Sequence, residues 1–205
     1  MPVSPSSTYG LVGKKWAYVP QKISGSVVPE KLADGSTGDV ITFKNPSPIA
    51  IHGKPQTQSC GGFFSPNKQA AYNILLSVGN NGNNDIALEM DDDGKASLRT
   101  NVHSSTPTTI GTSPSSVFTP GTWHHIVLTV DGSGNAKGYV DGVSVVTGVS
   151  ASVPGVGERN GNVQFGCGTG DVQFEEFKVY GVSSYDKLLT AQEIRSLASG
   201  ILSVC

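Results

Sequence analysis

Three observations predict an all-β fold that ends in one short helix. The stretch from Gly121 to Val146 reads GTWHHIVLTVDGSGNAKGYVDGVSVV, where two Asp-Gly pairs separate three short segments rich in β-branched residues. The chain of 205 residues carries 26 glycines and 12 prolines, a composition of many turns between short strands. Only the C-terminal segment carries the start and stop signals of a helix.

The elements follow in order. Residues 1 to 35 alternate prolines with short apolar pieces, among them Lys15-Trp16-Ala17-Tyr18-Val19-Pro20 and Ser26-Val27-Val28-Pro29. Proline cannot donate to a ladder, so this density suits an extended N-terminal arm or an edge strand. Asp39-Val40-Ile41-Thr42-Phe43 and the run from Tyr72 to Val78 read as strands. Ile86 to Met90 and Lys95 to Val102 form a hairpin around Asp91-Asp92-Asp93-Gly94, and the Ser, Thr and Pro content from His103 to Ser116 predicts a long surface loop.

Trp123 to Val130 is apolar at nearly every position, as expected for a strand covered on both faces. It ends at Asp131-Gly132, a turn that Ser133-Gly134-Asn135 extends, and Ala136 to Val140 is the next strand. Asp141-Gly142 then closes a tight hairpin into Val143 to Val146, because a two-residue turn of the favoured hand needs positive φ. In the helix that follows, Thr190 and Glu193 make a capping box, Leu189 and Ile194 fall at the staple positions, and Gly200 supplies a stop.

The Trp123-His124 strand followed by Tyr139-Val140-Asp141-Gly142 resembles the laminin G-like and pentraxin-like modules of the concanavalin A-like lectin and glucanase superfamily. Phe174-Glu175-Glu176-Phe177-Lys178-Val179-Tyr180, followed by Leu188-Leu189-Thr190-Ala191-Gln192-Glu193-Ile194, looks like the last strand and closing helix of that family. The resemblance covers residues 38 to 198 and is specific from 119 to 197. It implies a two-sheet antiparallel β-sandwich, a concanavalin A-like jelly roll, over residues 36–205 after an arm or edge strand at 1–35. A hydrophobic content of 37% is enough for one such core.

A net charge of -2 without any run of Lys or Arg gives no electrostatic footprint for nucleic acid. No apolar run approaches the roughly 20 residues that span a bilayer, and the N-terminus lacks an apolar signal core. Neither nucleic acid nor membrane insertion is expected. Cys60, Cys167 and Cys205 are too widely spaced for a zinc pattern, and they read either as free thiols or as a Cys60–Cys167 bridge with Cys205 left over.

Glucanases of the superfamily place a Glu-x-Asp-x-x-Glu set along one strand, so that two carboxylates reach one bond. The nearest text here is Glu89-Met90-Asp91-Asp92-Asp93-Gly94, with Gly94 at the acid/base position. Glu175 and Glu176 point to opposite faces of a strand, as do His124 and His125, of which one is expected to be buried. No catalytic residue is assigned, and the chain is expected not to be an enzyme.

Calcium needs several oxygen ligands. In the pentraxin branch a loop at residues 80 to 85 gives an Asp-Asn pair to calcium, and the matching residues here are Asn83 and Asn84, so charge is lost. The acidic run that the branch places after Val163 to Gly166 is replaced by Cys167-Gly168-Thr169-Gly170. A two-calcium site is therefore not expected, and a weaker single calcium site using Asp85, Asp91 or Asp93 remains as a candidate. An EF-hand beginning at Glu89 fails because its twelfth position is Thr100, so Asp91 to Gly94 reads as a turn.

Glycan recognition uses exposed aromatics and hydrogen-bonding Asn and Asp side chains. Trp123, Phe174, Phe177 and Tyr180 fall in predicted strands and are assigned to the core, whereas Tyr9, Trp16, Tyr18 and Tyr185 lie in less regular segments. Asn80, Asn81, Asn83, Asn84 and Asp85 are the candidate ligand contacts. The expected function is a surface binding or adhesion module for glycan or protein, displayed on a virion or other extracellular assembly. The N-terminal arm would dock on neighbouring subunits. The alternative is a structural capsid or decoration subunit, and a relative of glycoside hydrolases comes third.

Overall fold

The computed structural model describes residues 25–44, 49–52, 56–67, 73–79, 85–101, 106–151, 155–156, 162–168 and 176–199. Within these lie β1 (Gly25–Lys31), β2 (Thr37–Lys44), β3 (Ile49–His52), β4 (Ser59–Pro66), β5 (Asn73–Gly79), β6 (Asp85–Met90) and β7 (Ala96–Thr100). They continue with β8 (Thr108–Thr112), β9 (His124–Val130), β10 (Asn135–Val140), β11 (Val143–Val149), β12 (Asn162–Gly168), β13 (Glu176–Tyr185) and α1 (Ala191–Ala198). A seven-stranded sheet in the order β1-β2-β13-β4-β9-β10-β11 packs on a six-stranded sheet in the order β3-β12-β5-β6-β7-β8. All the pairings are antiparallel. This is the two-sheet sandwich that the sequence predicts.

The inner faces obey the period of two. Phe64, Ile126, Leu128, Val130, Phe177 and Val179 from one sheet meet Leu76, Val78, Ile86, Leu88, Met90 and Leu98 from the other in one core. Strand β9 is buried along its whole length. Its odd-facing Val127 joins Tyr139, Leu189 and Ile194 in a second cluster, where α1 lies on the outer face of the seven-stranded sheet. Burying each such aliphatic side chain stabilises the fold by about 1.5–3 kcal/mol, which explains the apolar content of the strand.

Helix α1 begins as its sequence signals. The Thr190 side chain accepts from the Glu193 amide, Glu193 accepts in return from the Thr190 amide at 2.8 Å, and the staple residues Leu189 and Ile194 are both buried. Ser199 caps the C-terminus; Gly200 lies outside the described residues. The Asp141-Gly142 turn has φ of 50° and 82°, as its two-residue hairpin requires.

The other Asp-led turns share one construction. Asp91 Oδ1 accepts from the amides of Asp93 and Lys95, and Asp131 Oδ1 accepts from those of Ser133 and Asn135. In each the fourth residue is a glycine at positive φ, Gly94 or Gly134, the signature of a type I turn followed by a bulge.

Several expectations are corrected. Residues 103–116 are not all loop, since β8 pairs with β7 there and Ile110 packs against the core. An edge strand needs few apolar residues, so its Thr-rich text reads as loop. Residue 36 lies in the β1–β2 turn, and Gly25 to Lys31 pair with β2 as an edge strand. Residues 1–24 lie outside the described residues, as do Cys205 and the side chain of Cys167. Cys60 is a free thiol at full burial in the core, so the Cys60–Cys167 bridge is not formed.

The turns separate two kinds of glycine. Gly35 has φ of 81° with nothing within 4 Å of a built Cβ, whereas a Cβ on Gly134 would stand 1.9 Å from the Ser150 carbonyl oxygen. Gly35→Ala is expected to cost about 1–2 kcal/mol from its left-handed backbone alone. Gly134→Ala is expected to cost more than about 3 kcal/mol, because the backbone must also move. Urea unfolding of the two variants checks this; equal costs would show that the contact with Ser150 relaxes freely.

Candidate functional site

The outer face of the six-stranded sheet is polar and covered. With Ile86, Leu88 and Met90 in the core, Asp85, Ala87 and Glu89 face the other way. The register places Ser77 beside Ala87, Ser97 beside Glu89 and Arg99 beside Ala87. Glu89 is fully buried, and its Oε2 accepts from Arg99 Nη1 at 3.1 Å. Oε1 has no hydrogen-bond partner among the described residues. Burial pushes the Glu89 carboxyl up to about 7 against the opposing pull of Arg99.

Among the sequence candidates for ligand contact, Asn80, Asn81, Asn83 and Asn84 lie outside the described residues, and Asp85 is buried at the start of β6. Asp91 and Asp93 follow the other end of that strand, about 20 Å away at strand rise. Asp91 Oδ1 is taken by two turn amides, and Asp93 Oδ2 pairs with Lys95 Nζ at 3.1 Å. Asp85 is thus too far from Asp91 and Asp93 to share a ligand with them. Among the described residues no group of three or more His, Cys, Asp or Glu could hold a metal ion.

The outer face of the seven-stranded sheet is aromatic. Phe64 points into the core and its neighbour Phe63 points out, where it stacks on Tyr180 with ring centroids 4.7 Å apart. His125 lies against Phe63 at 4.8 Å, and Trp123 meets Tyr180 edge-on at 5.0 Å. Trp123 Nε1 donates to the Lys31 carbonyl, and Tyr180 Oη accepts from the Ala33 amide, which pins the β1–β2 turn. Trp123 and Tyr180 are thus half-buried outside the core, contrary to the sequence assignment, because the side of a strand each occupies is set by register. Phe177 is in the core as expected, and Tyr185 packs against the α1 cluster.

Both adjacent histidines are buried, a correction to the expectation of one. His124 Nε2 accepts from the Thr119 amide, so Nδ1 carries the proton and donates to Asp141 Oδ2 at 2.8 Å. Asp141 Oδ1 accepts from the His125 amide. The His125 ring faces the aromatic side, where Nδ1 has no hydrogen-bond partner among the described residues and burial depresses its pKa to about 4. Sequence reasoning missed Phe63 and Arg99. The Phe63-Phe64 pair was the available signal for the first, since adjacent strand residues part to opposite faces.

Glu89 and His125 make opposite contributions to stability. The folded chain keeps the Glu89 proton between 4.5 and about 7, where the unfolded chain has lost it, so this contribution weakens as pH rises. The unfolded chain takes up a His125 proton between about 4 and 6.5 that the folded chain refuses, so that contribution strengthens. Each is on the order of 3 kcal/mol. Between pH 4.5 and 6.5 the two offset each other. Glu89→Gln is expected to leave a stability that rises with pH across this window, and His125→Gln one that falls. Denaturant titrations checking both would refute the assignment if the slopes share a sign.

A comparison with curated proteins finds no match. Among solved structures, the botulinum neurotoxin serotype G binding domain superposes with a TM-score of 0.62 at 14% identity, over 92% of this chain and 47% of that one. Domain 4 of AbnA, a GH43 extracellular arabinanase from Geobacillus stearothermophilus in complex with arabinotriose, gives 0.59 at 22% identity, over 85% and 82%. Trypanosoma rangeli sialidase gives 0.59 at 16%, over 88% and 30%. The chain spans less than half of the neurotoxin domain and less than a third of the sialidase, and at these identities the likeness is one of fold. A family model of the concanavalin A-like lectin/glucanases superfamily matches residues 36–195, from the β1–β2 turn into α1, and the chain belongs to that superfamily.

Proposed function

We propose that the chain is a non-enzymatic binding module that recognises carbohydrate or protein on a surface and is itself displayed on a virion or other extracellular assembly. The observation that carries this reading is how the sandwich uses its charged side chains. Glu89 faces Arg99, Asp91 holds its own turn, Asp141 holds both histidines and Glu193 caps α1. Asp85 and Glu89 sit four residues apart on one strand, about 13 Å along it. Carboxyl pairs that cleave glycosidic bonds stand roughly 5–9.5 Å apart.

Carbohydrate as the ligand class is supported by what proteins of this fold do. Cell entry of botulinum neurotoxin type C depends on interaction with two ganglioside molecules, and the arabinanase domain was solved with arabinotriose. In this reading Asn80 to Asp85 contact the ligand, and the Pro-rich segment ahead of edge strand β1 docks on a neighbouring subunit. That segment also favours the second reading, a structural decoration subunit whose partner is protein.

The purified chain is expected to bind a defined sugar on a glycan array, and Asn83→Ala with Asn84→Ala is expected to weaken that binding at least tenfold without moving Tm. Silence on the array from a folded sample would turn the reading to the structural subunit. Deleting residues 2–24, which leaves β1 in place, is expected to abolish incorporation into the assembly while circular dichroism still reports a folded sandwich. Undiminished incorporation would show that the arm is not the anchor.

A further inference from the structure

We infer that His124 is a proton-operated latch: a proton taken up at its Nε2 breaks the bond that holds the Thr119 to Thr122 turn and loosens Trp123, while the bond to Asp141 is kept. This device goes beyond the binding reading above and holds whatever ligand the chain takes.

The two ring nitrogens respond differently because they face different groups. Nδ1 donates to Asp141 Oδ2 at 2.8 Å, and Nε2 accepts from the Thr119 amide at 3.2 Å. A protonated imidazole donates from both nitrogens. Its Nδ1–H then meets a carboxylate in a charge-assisted bond, which is the stronger kind. Its Nε2–H meets another N–H, and two donors cannot share a bond, so the Thr119 amide is let go. The His124 side chain is 10% exposed and that of Asp141 57%, so water can reach the ring and accept from the new N–H.

The charged and titratable groups around the latch are few. Asp141 faces the ring, His125 shares that carboxylate through its amide, and α1 brings Arg195 against Gly142 beside it. The remaining neighbours are the Phe118 ring, edge-on at 5.7 Å, and Phe64, which pairs with His124 from β4. The release is local, because Phe118 stays in the core and the Gly121 amide donates to the Pro66 carbonyl at 2.7 Å. What loosens is the turn closed by the Thr122 amide on the Thr119 carbonyl. Trp123 follows that turn directly, and its indole N–H on the Lys31 carbonyl is one of the two bonds that pin the β1–β2 turn. A proton at His124 is thereby coupled to edge strand β1 on the far side of β13.

The test follows the full chain by NMR as its histidine rings are titrated with acid. The chain has two tryptophans, so Trp16→Phe assigns the Trp123 indole signal, and His124→Gln assigns the His124 ring by its loss. The Thr119 amide and the Trp123 indole are expected to move with the midpoint of the His124 ring. Hydrogen exchange at the Thr119 amide, corrected for its intrinsic pH dependence, is expected to quicken at least tenfold across that midpoint, while the His125 amide keeps its protection. In His124→Gln, which cannot titrate, the Trp123 indole should stay in place over the same range. Asp141→Asn, which serves if that variant does not fold, should carry the ring, amide and indole midpoints to lower pH together. A Thr119 amide and Trp123 indole that stay unmoved while the His124 ring titrates would overturn the latch, as would midpoints that separate in Asp141→Asn or a ring that takes up no proton until the whole chain unfolds.

Discussion

Strand β9 sends Ile126, Leu128 and Val130 into the core between the sheets and Val127 into the layer under α1. A shift of one residue would exchange the two sets and strand polar contacts on both sides, so this strand sets the register of its neighbours. Phe63 then falls opposite His125 and Phe64 opposite His124. Tyr139 falls opposite Val127, beneath the helix. The aromatic row outside the sheet and the apolar core inside it are two consequences of one constraint.

Aspartates do much of the work of closing the hairpins. Asp34, Asp91 and Asp131 each hold amides two or more residues ahead, and Asp141 ties its own turn to both histidines of β9. The same feature that makes these residues look like ligands for a cation makes them good turn formers, because a short carboxylate can fold back on the backbone. In the described structure the turns have first claim on Asp91, Asp131 and Asp141.

The two outer faces differ in chemistry. One carries the buried Glu89–Arg99 pair, whose charges are held at the expense of desolvation. The other carries a neutral imidazole among aromatic rings. Burial drives the Glu89 carboxyl toward its protonated form against the pull of Arg99, and the His125 ring toward its neutral form.

The sequence by itself determined the strands around residues 121 to 149, their tight turns and the capped helix, because turn chemistry and periodicity are local. Asp141-Gly142 can adopt positive φ wherever it is placed, and Thr190 and Glu193 cap any helix that starts between them. It also identified the superfamily, through the Trp123-His124 strand and the Tyr139 to Gly142 hairpin. Tertiary structure alone decided which face each side chain takes and what covers it. Trp123 and Tyr180 read as core residues because strands are apolar, yet register turned them outward. Thr108 to Thr112 read as loop, yet the free edge of β7 recruited it as a strand. Glu89 and Arg99 became partners only when β6 and β7 paired, since ten residues of chain separate them and only the hairpin brings their charges together.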